Sequence, residues 1–289
     1  MSVLGQGHSG VVVLHTKDSV KKYYKAERSW QEEKDFLTFL ADIQKQGFTI
    51  GCTIPKLLDS SEGSWKVEGK TYRHCNTMGF VPGVQSNANF TDEQLEILGT
   101  HIGSILYAMH HGSEPYVEQY ADQFGDKDEL VAHIFDDNAA KVIKVLREET
   151  DKDVLGKVKE VLAYLQSKKN LLLADRTLTH TDLNQPNILV NEDSHVQGLV
   201  DWGSFGYTNP SLTMYQLATK PKLWPHIKEQ YKKLGGEIME DIVFAAATIH
   251  LAWSPIICAE LDLPLPKDRT REVFEQMYKN FQQATTSTS

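Results

Sequence analysis

Cysteine is scarce in this chain, with three residues among 289. Cys52, Cys75 and Cys258 lie far apart in the sequence, which argues against a disulfide framework and indicates a reducing compartment. No cluster of cysteine and histidine has the close spacing that a zinc site requires. We therefore expect a cytoplasmic protein that contains neither structural zinc nor disulfide bonds.

Long apolar stretches are also absent. No run approaches the roughly 20 residues that span a bilayer, and Met1-Ser-Val-Leu-Gly has neither a basic leader nor an extended apolar region. We therefore expect no membrane helix and no signal peptide. With 40% hydrophobic and 24% charged residues, the composition is that of an ordinary globular protein. The chain is long enough to divide into two lobes.

Positive charge is in the minority, because 30 Lys and Arg face 39 Asp and Glu and the net charge is −9. Residues 1–84 contain 11 basic and 9 acidic residues, so residues 85–289 carry a net charge of −11. This acidity argues against nucleic-acid binding and favours a cationic small molecule as partner. Acidic helix surfaces that keep a protein soluble would give the same imbalance.

A polar segment at residues 180–202 stands out against this ordinary background. Asp182 and Asn187 lie five residues apart, so a single loop can carry both, and Asp201 follows on a separate strand. In-line phosphoryl transfer needs a carboxylate that takes the proton of the acceptor hydroxyl, together with oxygen ligands for magnesium. These three residues supply groups of both kinds.

The spacing of this segment also predicts a hairpin. Residues 188–190 and 196–200 are short apolar runs, and the polar residues 191–194 between them are typical of a turn. Such a hairpin would return Asp201 to the side of Asn187. The two residues that could bind a metal would then lie next to each other.

Three glycines near the start of the chain give a second signal. Gly5, Gly7 and Gly10 form a G-x-G-x-x-G pattern, which alone is weak because it also marks dinucleotide-binding folds, where it follows a strand and opens a helix. Here only four residues precede Gly5, and the β-branched residues 11–13 favour a strand after Gly10. The glycines therefore predict a hairpin whose backbone amides approach a phosphate.

Together these motifs resemble those of the aminoglycoside phosphotransferase and choline kinase group. Its loop reads His-Gly-Asp-Leu-x-x-x-Asn and is followed by a strand that ends in Ile-Asp-Trp. This chain has His180-Thr-Asp182-Leu, then Asn187, then Val-Asp201-Trp202. The resemblance implies an α+β, bilobal fold like that of protein kinases, with a small antiparallel-sheet N-lobe carrying one helix and a larger, mainly helical C-lobe. It also implies Asp182 as catalytic base, Asn187 and Asp201 as magnesium ligands, and His180 as a structural residue.

The same resemblance implies the residues that hold the phosphates of ATP or GTP. Residues 19–24 read as a strand that places Lys21 and Lys22 on opposite faces, and the family pattern favours Lys22 as the phosphate ligand. The helical stripe that follows has acids at its start. The resemblance favours Glu33 over Glu32 as the partner of that lysine, although an acid there also compensates the helix dipole.

Residues 77–83 resemble the segment that joins the two lobes in this family and binds the nucleotide base. By that resemblance Met78 borders the base, and Gly79 and Val81 offer backbone hydrogen bonds to it. An ordinary strand end closed by a Pro-Gly turn would give the same sequence. Both interpretations can hold together.

The domain organisation follows from these motifs. We place the N-lobe and hinge at residues 1–83, the C-lobe with the catalytic loop, metal hairpin and acceptor site at residues 84–283, and a flexible tail at residues 284–289. Near the start of the C-lobe, Thr91 and Gln94 have the spacing of a capping box and predict the beginning of a helix.

Two positions depart from the family pattern. Thr181 replaces the usual glycine beside the catalytic aspartate, and Thr213 stands three residues after Pro210, where the family generally has an aspartate that braces the loop. Protein kinases differ further, because they carry His-Arg-Asp in the loop and a later Ala-Pro-Glu segment. Neither motif is present here.

We therefore predict a magnesium-dependent kinase that transfers the γ-phosphate of ATP or GTP to a hydroxyl of a small, cationic acceptor, such as an aminoglycoside-like antibiotic or an amino alcohol. A protein kinase is one alternative, and a catalytically silent nucleotide-binding module is another. The second is disfavoured because the lysine, base and metal positions are all present. The prediction includes no nucleic acid, no membrane and no obligate protein partner.

Overall fold

Most of the chain is described by the computed structural model, which covers residues 2–7, 9–86, 89–132, 134–135, 143–145, 152–260 and 270–287. The chain forms two compact units. Unit 1 combines Met1–Leu98 with Asn184–Phe205, and unit 2 combines Gly99–Leu183 with Gly206–Ser289. Within the described ranges, no helix is both long enough and apolar enough to cross a membrane.

Unit 1 is built on an antiparallel sheet of five strands in the order β1-β2-β3-β5-β4. These strands are β1 Val3–Gln6, β2 Gly10–Thr16, β3 Ser19–Tyr24, β4 Leu57–Val67 and β5 Lys70–Gly79. A cluster of buried side chains packs on the sheet: Val11, Val13, Tyr23, Val67, Tyr72 and Cys75. Most of them are β-branched or aromatic, as strands prefer.

One helix packs against this sheet. Helix α1, Glu27–Lys45, contacts β3, β4 and β5 on the face that carries Lys22 and Tyr24. Its apolar stripe is buried, with Leu37, Leu40 and Ile43 at most 1% exposed. The helix therefore holds Glu33, in its second turn, over the same face as the lysine of β3.

A second, three-stranded sheet in unit 1 contains the predicted hairpin. Strand β8, Ile188–Val190, pairs antiparallel with β9, Val196–Leu199, on one side and with β6, Val84–Gln85, on the other. Asn191 closes the turn, because its side-chain oxygen accepts hydrogen bonds from the backbone N–H of Asp193 and of His195. The hairpin predicted from the sequence is confirmed.

Unit 2 is mainly helical. Its helices are α2 Asp92–Gly112, which begins in unit 1, α3 Val117–Phe124, α4 Glu129–Ala132, α5 Lys152–Ser167, α6 Lys169–Ala174, α7 Pro210–Thr213, α8 Tyr215–Ala218, α9 Trp224–Lys233, α10 Glu240–Glu260 and α11 Arg271–Ser287. Strand β7, Thr177–His180, pairs with β10, Phe205–Thr208. Helix α2 starts with the predicted capping box, in which Thr91 and Gln94 each donate a backbone N–H to the other's side chain.

The boundary between the units differs from the predicted one at residue 83. Unit 1 extends to Leu98, and Asn184–Phe205, which the sequence placed with the C-lobe, belongs to unit 1. The pairing of β6 with β8 explains the difference, because it ties residues 84 and 85 to the β8–β9 hairpin. Thr53 adds a further tie, donating to Gln197 and accepting from Leu199 through the backbone.

The end of the chain differs too. The predicted tail at residues 284–289 is helical as far as Ser287, as part of α11, and residues 288 and 289 lie outside the described ranges. The hydroxyls of Thr285, Thr286 and Ser287 donate to backbone carbonyls four residues earlier. Serine and threonine in the last helical turns can therefore satisfy their own hydroxyls without leaving the helix.

Candidate active site

An ion triad in unit 1 joins β3, α1 and the segment after β9. Lys22 Nζ lies 2.6 Å from Oε2 of Glu33 and 2.6 Å from Oδ1 of Asp201. The side chains of Lys22 and Glu33 are 6% and 3% exposed, whereas that of Asp201 is 38% exposed. Glu32 pairs with the exposed Arg28 instead. Of the two candidate acids, Glu33 is thus the one that meets the lysine.

The charge of Lys22 is secured by this arrangement. Burial lowers the pKa of Lys22, but attraction to Glu33 and to Asp201 outweighs it, so that the pKa lies above its ordinary value. Its Nζ also lies 5.2 Å from the centre of the Tyr24 ring, within range of a cation–π interaction. Lys22 is therefore a fixed positive charge at physiological pH.

Glu33 is held by a chain of polar side chains that the sequence analysis did not identify. The Tyr24 hydroxyl donates to Glu33 Oε2 at 2.7 Å, and Asn76 Nδ2 donates to the Tyr24 oxygen at 3.0 Å. Ser60 donates to Asn76 Oδ1, and the Trp30 indole donates to Ser60. Burial, together with the charge of Glu33, keeps the pKa of Tyr24 well above its ordinary value, so the phenol remains a donor.

Replacing Tyr24 by phenylalanine should destabilise unit 1. The change removes the donor to the Glu33 carboxylate and takes from Asn76 the oxygen to which it donates. A buried hydrogen bond to a charged group contributes about 1.5–3 kcal/mol, and we expect a loss of that size in the free energy of unfolding, measured by urea denaturation. Tyr23→Phe is the matched control, because Tyr23 faces the opposite side and packs against Trp65 and Tyr72. Equal losses in the two variants would contradict the prediction.

The hairpin brings Asn187 and Asp201 together. The backbone N–H of Val200 donates to the Asn187 carbonyl at 3.0 Å, one residue before Asp201. Asp201 has φ 65° and ψ 53°, a left-handed conformation that few residues other than glycine adopt. Among the described non-glycine residues, Asp201 shares a positive φ only with Glu68 and Ser194. The strained backbone turns the Asp201 carboxylate toward Lys22 while leaving it accessible to solvent.

The three glycines of the predicted hairpin have different structural roles. A hydrogen bond from the Gly7 N–H to the Gly10 carbonyl, 2.9 Å long, closes the turn between β1 and β2. A Cβ at Gly10 would collide with the backbone carbonyl of Tyr23, so the sheet itself requires that glycine. A Cβ at Gly5 or Gly7 would meet no other described residue within 4 Å, and neither glycine has a positive φ. The fold gives no reason for those two glycines, but the close approach of a ligand would.

The predicted base-binding segment lies at the end of β5. Met78 and Val81 are each 5% exposed, and the N–H of Gly79 donates to the Lys56 carbonyl at 2.8 Å. A Cβ at Gly198 would press on the Val81 side chain, so Val81 packs closely against β9. Because the N–H of Gly79 is already used within unit 1, any bond from Gly79 to a base would have to involve its carbonyl oxygen.

Asp182 lies in unit 2, in the loop that follows β7. Its backbone N–H donates to Nδ1 of His180, which is fully buried, and its Oδ1 accepts from Nε2 of Gln216 at 2.7 Å. His180 therefore supports the loop, as the sequence analysis expected of a structural residue. Thr181 lacks a positive φ, so a side chain at the position of the family's glycine causes no backbone strain.

A buried histidine of α2 anchors the strand that leads to Asp182. Nδ1 of His110 lies 2.9 Å from the Tyr231 hydroxyl, and Nε2 lies 3.0 Å from Oγ1 of Thr179 on β7. The Thr177 hydroxyl donates to the His110 carbonyl at 2.5 Å. Burial first, and the neighbouring His111 second, lower the pKa of His110 from 6.5 to about 3. The ring is therefore neutral inside unit 2.

This histidine should make the stability of the protein depend on pH. The unfolded chain binds a proton at His110 below its ordinary pKa of 6.5, whereas the folded protein does not until about pH 3. The stabilisation is therefore complete above that ordinary value and is lost as the pH falls, by about 1.4 kcal/mol per pH unit. We expect His110→Gln to flatten the slope of unfolding free energy against pH between about pH 7.5 and about pH 5. His15→Gln, at an exposed position of β2, should keep the wild-type slope, and equal slopes for wild type and His110→Gln would refute the assignment.

Three residues of the site, Tyr24, Asn76 and Gln216, escaped the sequence analysis. Tyr24 stands two residues after Lys22 and therefore on the same face of β3, which is a signal that alternation could have given. Asn76 is the cross-strand partner of Lys22, which becomes visible only when the register of β3 and β5 is known. Gln216 is a polar residue in the apolar run of α8, and its partner depends on the tertiary fold.

Comparison with protein families supports the interpretation of the motifs. The family model described as the phosphotransferase enzyme family matches residues 2–218, which is most of the chain. No curated protein sequence matches the chain.

Solved structures show the fold. A GDP complex of a mutant aminoglycoside 2'-phosphotransferase-IIIa has 14% sequence identity and a TM-score of 0.71. The match covers 100% of this chain and 93% of the chain in that structure. A streptomycin–ATP ternary complex of APH(2'')-IIa has 14% identity and a TM-score of 0.55, with 96% and 92% coverage. The macrolide 2'-phosphotransferase MphH from Brachybacterium faecium has 13% identity and a TM-score of 0.53, with 96% and 91% coverage. The α+β, kinase-like fold predicted from the sequence is confirmed.

Proposed function

The chain belongs to the phosphotransferase enzyme family, and from that premise we propose that it is a magnesium-dependent kinase that moves the γ-phosphate of ATP or GTP to a hydroxyl of a small, cationic molecule. The observation that carries the proposal is the ion triad of the buried Lys22 and Glu33 with the partly exposed Asp201. A buried lysine shared by two carboxylates that come from distant parts of the chain supplies the cation and the metal ligand that phosphoryl transfer needs.

Unit 1 would bind the nucleotide. Lys22 carries a fixed charge for the α and β phosphates, and Glu33 holds that charge in place. Gly5 and Gly7 leave open space beside the backbone, in which a Cβ would meet no other described residue, and this supports close approach of the phosphates to the hairpin. Met78 and Val81 would border the base. Solved structures with GDP and with ATP share the fold, and this supports both GTP and ATP as possible donors.

Asn187 and Asp201 would hold magnesium. Their amide and carboxylate oxygens are the hard donors that Mg²⁺ prefers, and a pair of protein ligands suits an ion that keeps its remaining positions for phosphates and water. The Asp201 side chain is 38% exposed and is thus accessible to an ion. When bound, Mg²⁺ neutralises charge on the β- and γ-phosphates. Among the described residues, no cluster of three or more His, Cys, Asp or Glu offers another metal site.

Asp182 would act as the base in unit 2. Its carboxylate takes the proton of the acceptor hydroxyl, and the hydroxyl oxygen forms a bond to the γ-phosphorus. The bond from that phosphorus to the β-phosphate bridging oxygen breaks, and the nucleoside diphosphate leaves with the electron pair. His180 and Gln216 hold the base through its backbone N–H and its Oδ1.

The acidity of residues 85–289 supports a cationic acceptor. That segment carries a net charge of −11, and a field of this sign raises the local concentration of a cation. Streptomycin, which is bound in one of the similar structures, is such a cation. We propose an aminoglycoside-like antibiotic or an amino alcohol as the acceptor class.

The three cysteines are free, and this supports a reducing, cytoplasmic location.

The test is release of nucleoside diphosphate across a panel of aminoglycosides, macrolides, choline-like amines and amino sugars. Each acceptor is offered with ATP and with GTP, in the presence of Mg²⁺ and again with excess chelator. We expect release that depends on the metal and on one class of cationic acceptor. Binding of nucleotide with no transfer to any member would overturn the proposed acceptor class, and transfer to peptide hydroxyls would favour a protein kinase.

A further inference from the structure

The contact between Gln216 and Asp182 fixes how the glutamine amide is oriented. Gln216 lies on α8 and is 7% exposed, and its Nε2 is 2.7 Å from Asp182 Oδ1. An ionised carboxylate can only accept a hydrogen bond, so the atom that faces it must be the NH₂ group. The side-chain carbonyl oxygen, Oε1, therefore points away from Oδ1.

That oxygen is unusual for a buried acceptor. Among the described residues, no protein group donates a hydrogen bond to Gln216 Oε1, which is buried. The backbone carbonyl of the same residue does have a donor, because the Thr219 hydroxyl donates to it at 2.6 Å. Burying an unpaired carbonyl oxygen costs free energy of folding, and an apolar side chain of the same size would avoid that cost. The amide at this position therefore calls for a reason other than stability.

The position of Gln216 also resolves the departure noted at Thr213. The hydroxyl of Thr213 donates to the Pro210 carbonyl at 2.9 Å and lies near Thr179, so it supports α7 and β7. Gln216 stands three residues later and makes the contact with the loop. The task of bracing Asp182 thus falls to a neutral amide, which holds the carboxylate without adding a charge beside it.

We propose that Gln216 is the positioning residue for Asp182, whose carboxylate it holds through its NH₂ group. This inference rests on the proposed function. The NH₂ group fixes one carboxylate oxygen and so restricts the rotation of Asp182. A neutral side chain thus aims the base at the hydroxyl that loses its proton, and its unpaired carbonyl oxygen is the cost of keeping an amide at this position.

Two substitutions test this role. Gln216→Met keeps the size of the side chain but removes the donor to Asp182, and we expect the kcat with the acceptor to fall about 10- to 100-fold while the acceptor KM stays close to the wild-type value. Gln216→Glu also removes the donor and places two carboxylates together. Its kcat should fall at least as far, again with an acceptor KM close to the wild-type value. The KM for nucleotide should not change in either variant.

A double-mutant cycle distinguishes positioning from a general structural role. In single-turnover measurements, Gln216→Met should lower the residual rate of Asp182→Asn by less than about twofold, because residues that act as a unit are not additive. A structural defect would lower the rate by the same factor in both backgrounds. Thr219→Val is the matched control, since it removes the buried hydrogen bond to the Gln216 backbone carbonyl at the end of α8 but leaves the Gln216 side chain and Asp182 in place, and its kcat should match that of the wild type.

The outcomes separate this inference from the proposed function. Turnover retained in Asp182→Asn would overturn the proposed function itself. Turnover lost in Asp182→Asn, with kcat and acceptor KM unchanged in Gln216→Met, would overturn only the role of Gln216. If Gln216→Met fails to fold, as judged by its melting temperature, the charged variant Gln216→Glu decides, and an unchanged kcat in that variant would overturn the inference.

Discussion

Asparagine in place of Asp182 is expected to lower kcat by about 10²- to 10⁴-fold, the usual contribution of a general base. Asparagine has the size of aspartate and can still accept a hydrogen bond from Gln216, but its amide cannot take a proton. The ion triad of unit 1 is untouched by this change, so nucleotide affinity should be the same as in the wild type. Rapid-quench measurement of diphosphate release, beside calorimetric titration of the nucleotide, checks both statements.

The control for this variant lies in the β8–β9 hairpin. Asp193 is an exposed residue of the turn between β8 and β9, so Asp193→Asn makes the same chemical change away from the reacting groups. We expect Asp193→Asn to have wild-type turnover. Turnover of Asp182→Asn within about tenfold of the wild type would be too small an effect for a general base, and the role assigned to Asp182 would be wrong.

Methionine in place of Lys22 is expected to destabilise the protein by about 3–5 kcal/mol, the cost of leaving a buried charge without its partner. The penalty arises mainly at Glu33, which is 3% exposed, because Asp201 is 38% exposed and remains solvated. Urea denaturation measures the loss. Catalysis should fall as well, since the phosphates lose their fixed cation.

Two further variants make this prediction specific. Lys21→Met changes the neighbouring lysine, which lies on the opposite face of β3, and should leave stability close to that of the wild type. Glu33→Gln combined with Lys22→Met removes the unpaired charge, so it should recover much of the lost stability and none of the lost activity. If the double variant is less stable than Lys22→Met, the penalty does not arise from an unpaired carboxylate.

The sequence predicted those parts of the site that depend on local pattern. The β1–β2 and β8–β9 hairpins follow from glycines, turn residues and β-branched runs. These signals act over a few residues. The partnership of Lys22 with Glu33 needed the family pattern to exclude Lys21 and Glu32. The structure adds the reason for this choice: alternation directs Lys22, not Lys21, toward α1.

Other features could not be obtained from local pattern because they arise from contacts between distant segments. The sequence placed residues 184–205 with the helical lobe, but the pairing of β8 with β6 assigns them to unit 1. The spacing of the family motif predicts that residue 213 braces the loop that carries Asp182. In the structure the contact with Asp182 comes from Gln216, on the next short helix. A side chain that reaches its partner across a tertiary fold leaves no periodic signal in the sequence.

Unit 1 is formed from two separate segments of the chain, and this affects the order in which it can fold during synthesis. Lys22 and Asp201 are 179 positions apart, and a ribosome that adds 5–20 residues per second needs roughly 10–40 s to synthesise that interval. During this time β3 and α1 can form and Lys22 can pair with Glu33, but the β8–β9 hairpin does not yet exist. The last strands of unit 1, β8 and β9, must therefore pair with β6 and complete a unit whose five-stranded sheet was synthesised well before them. Closing so long a loop is slow, and the half-finished unit is the stage at which a nascent chain would depend on chaperones.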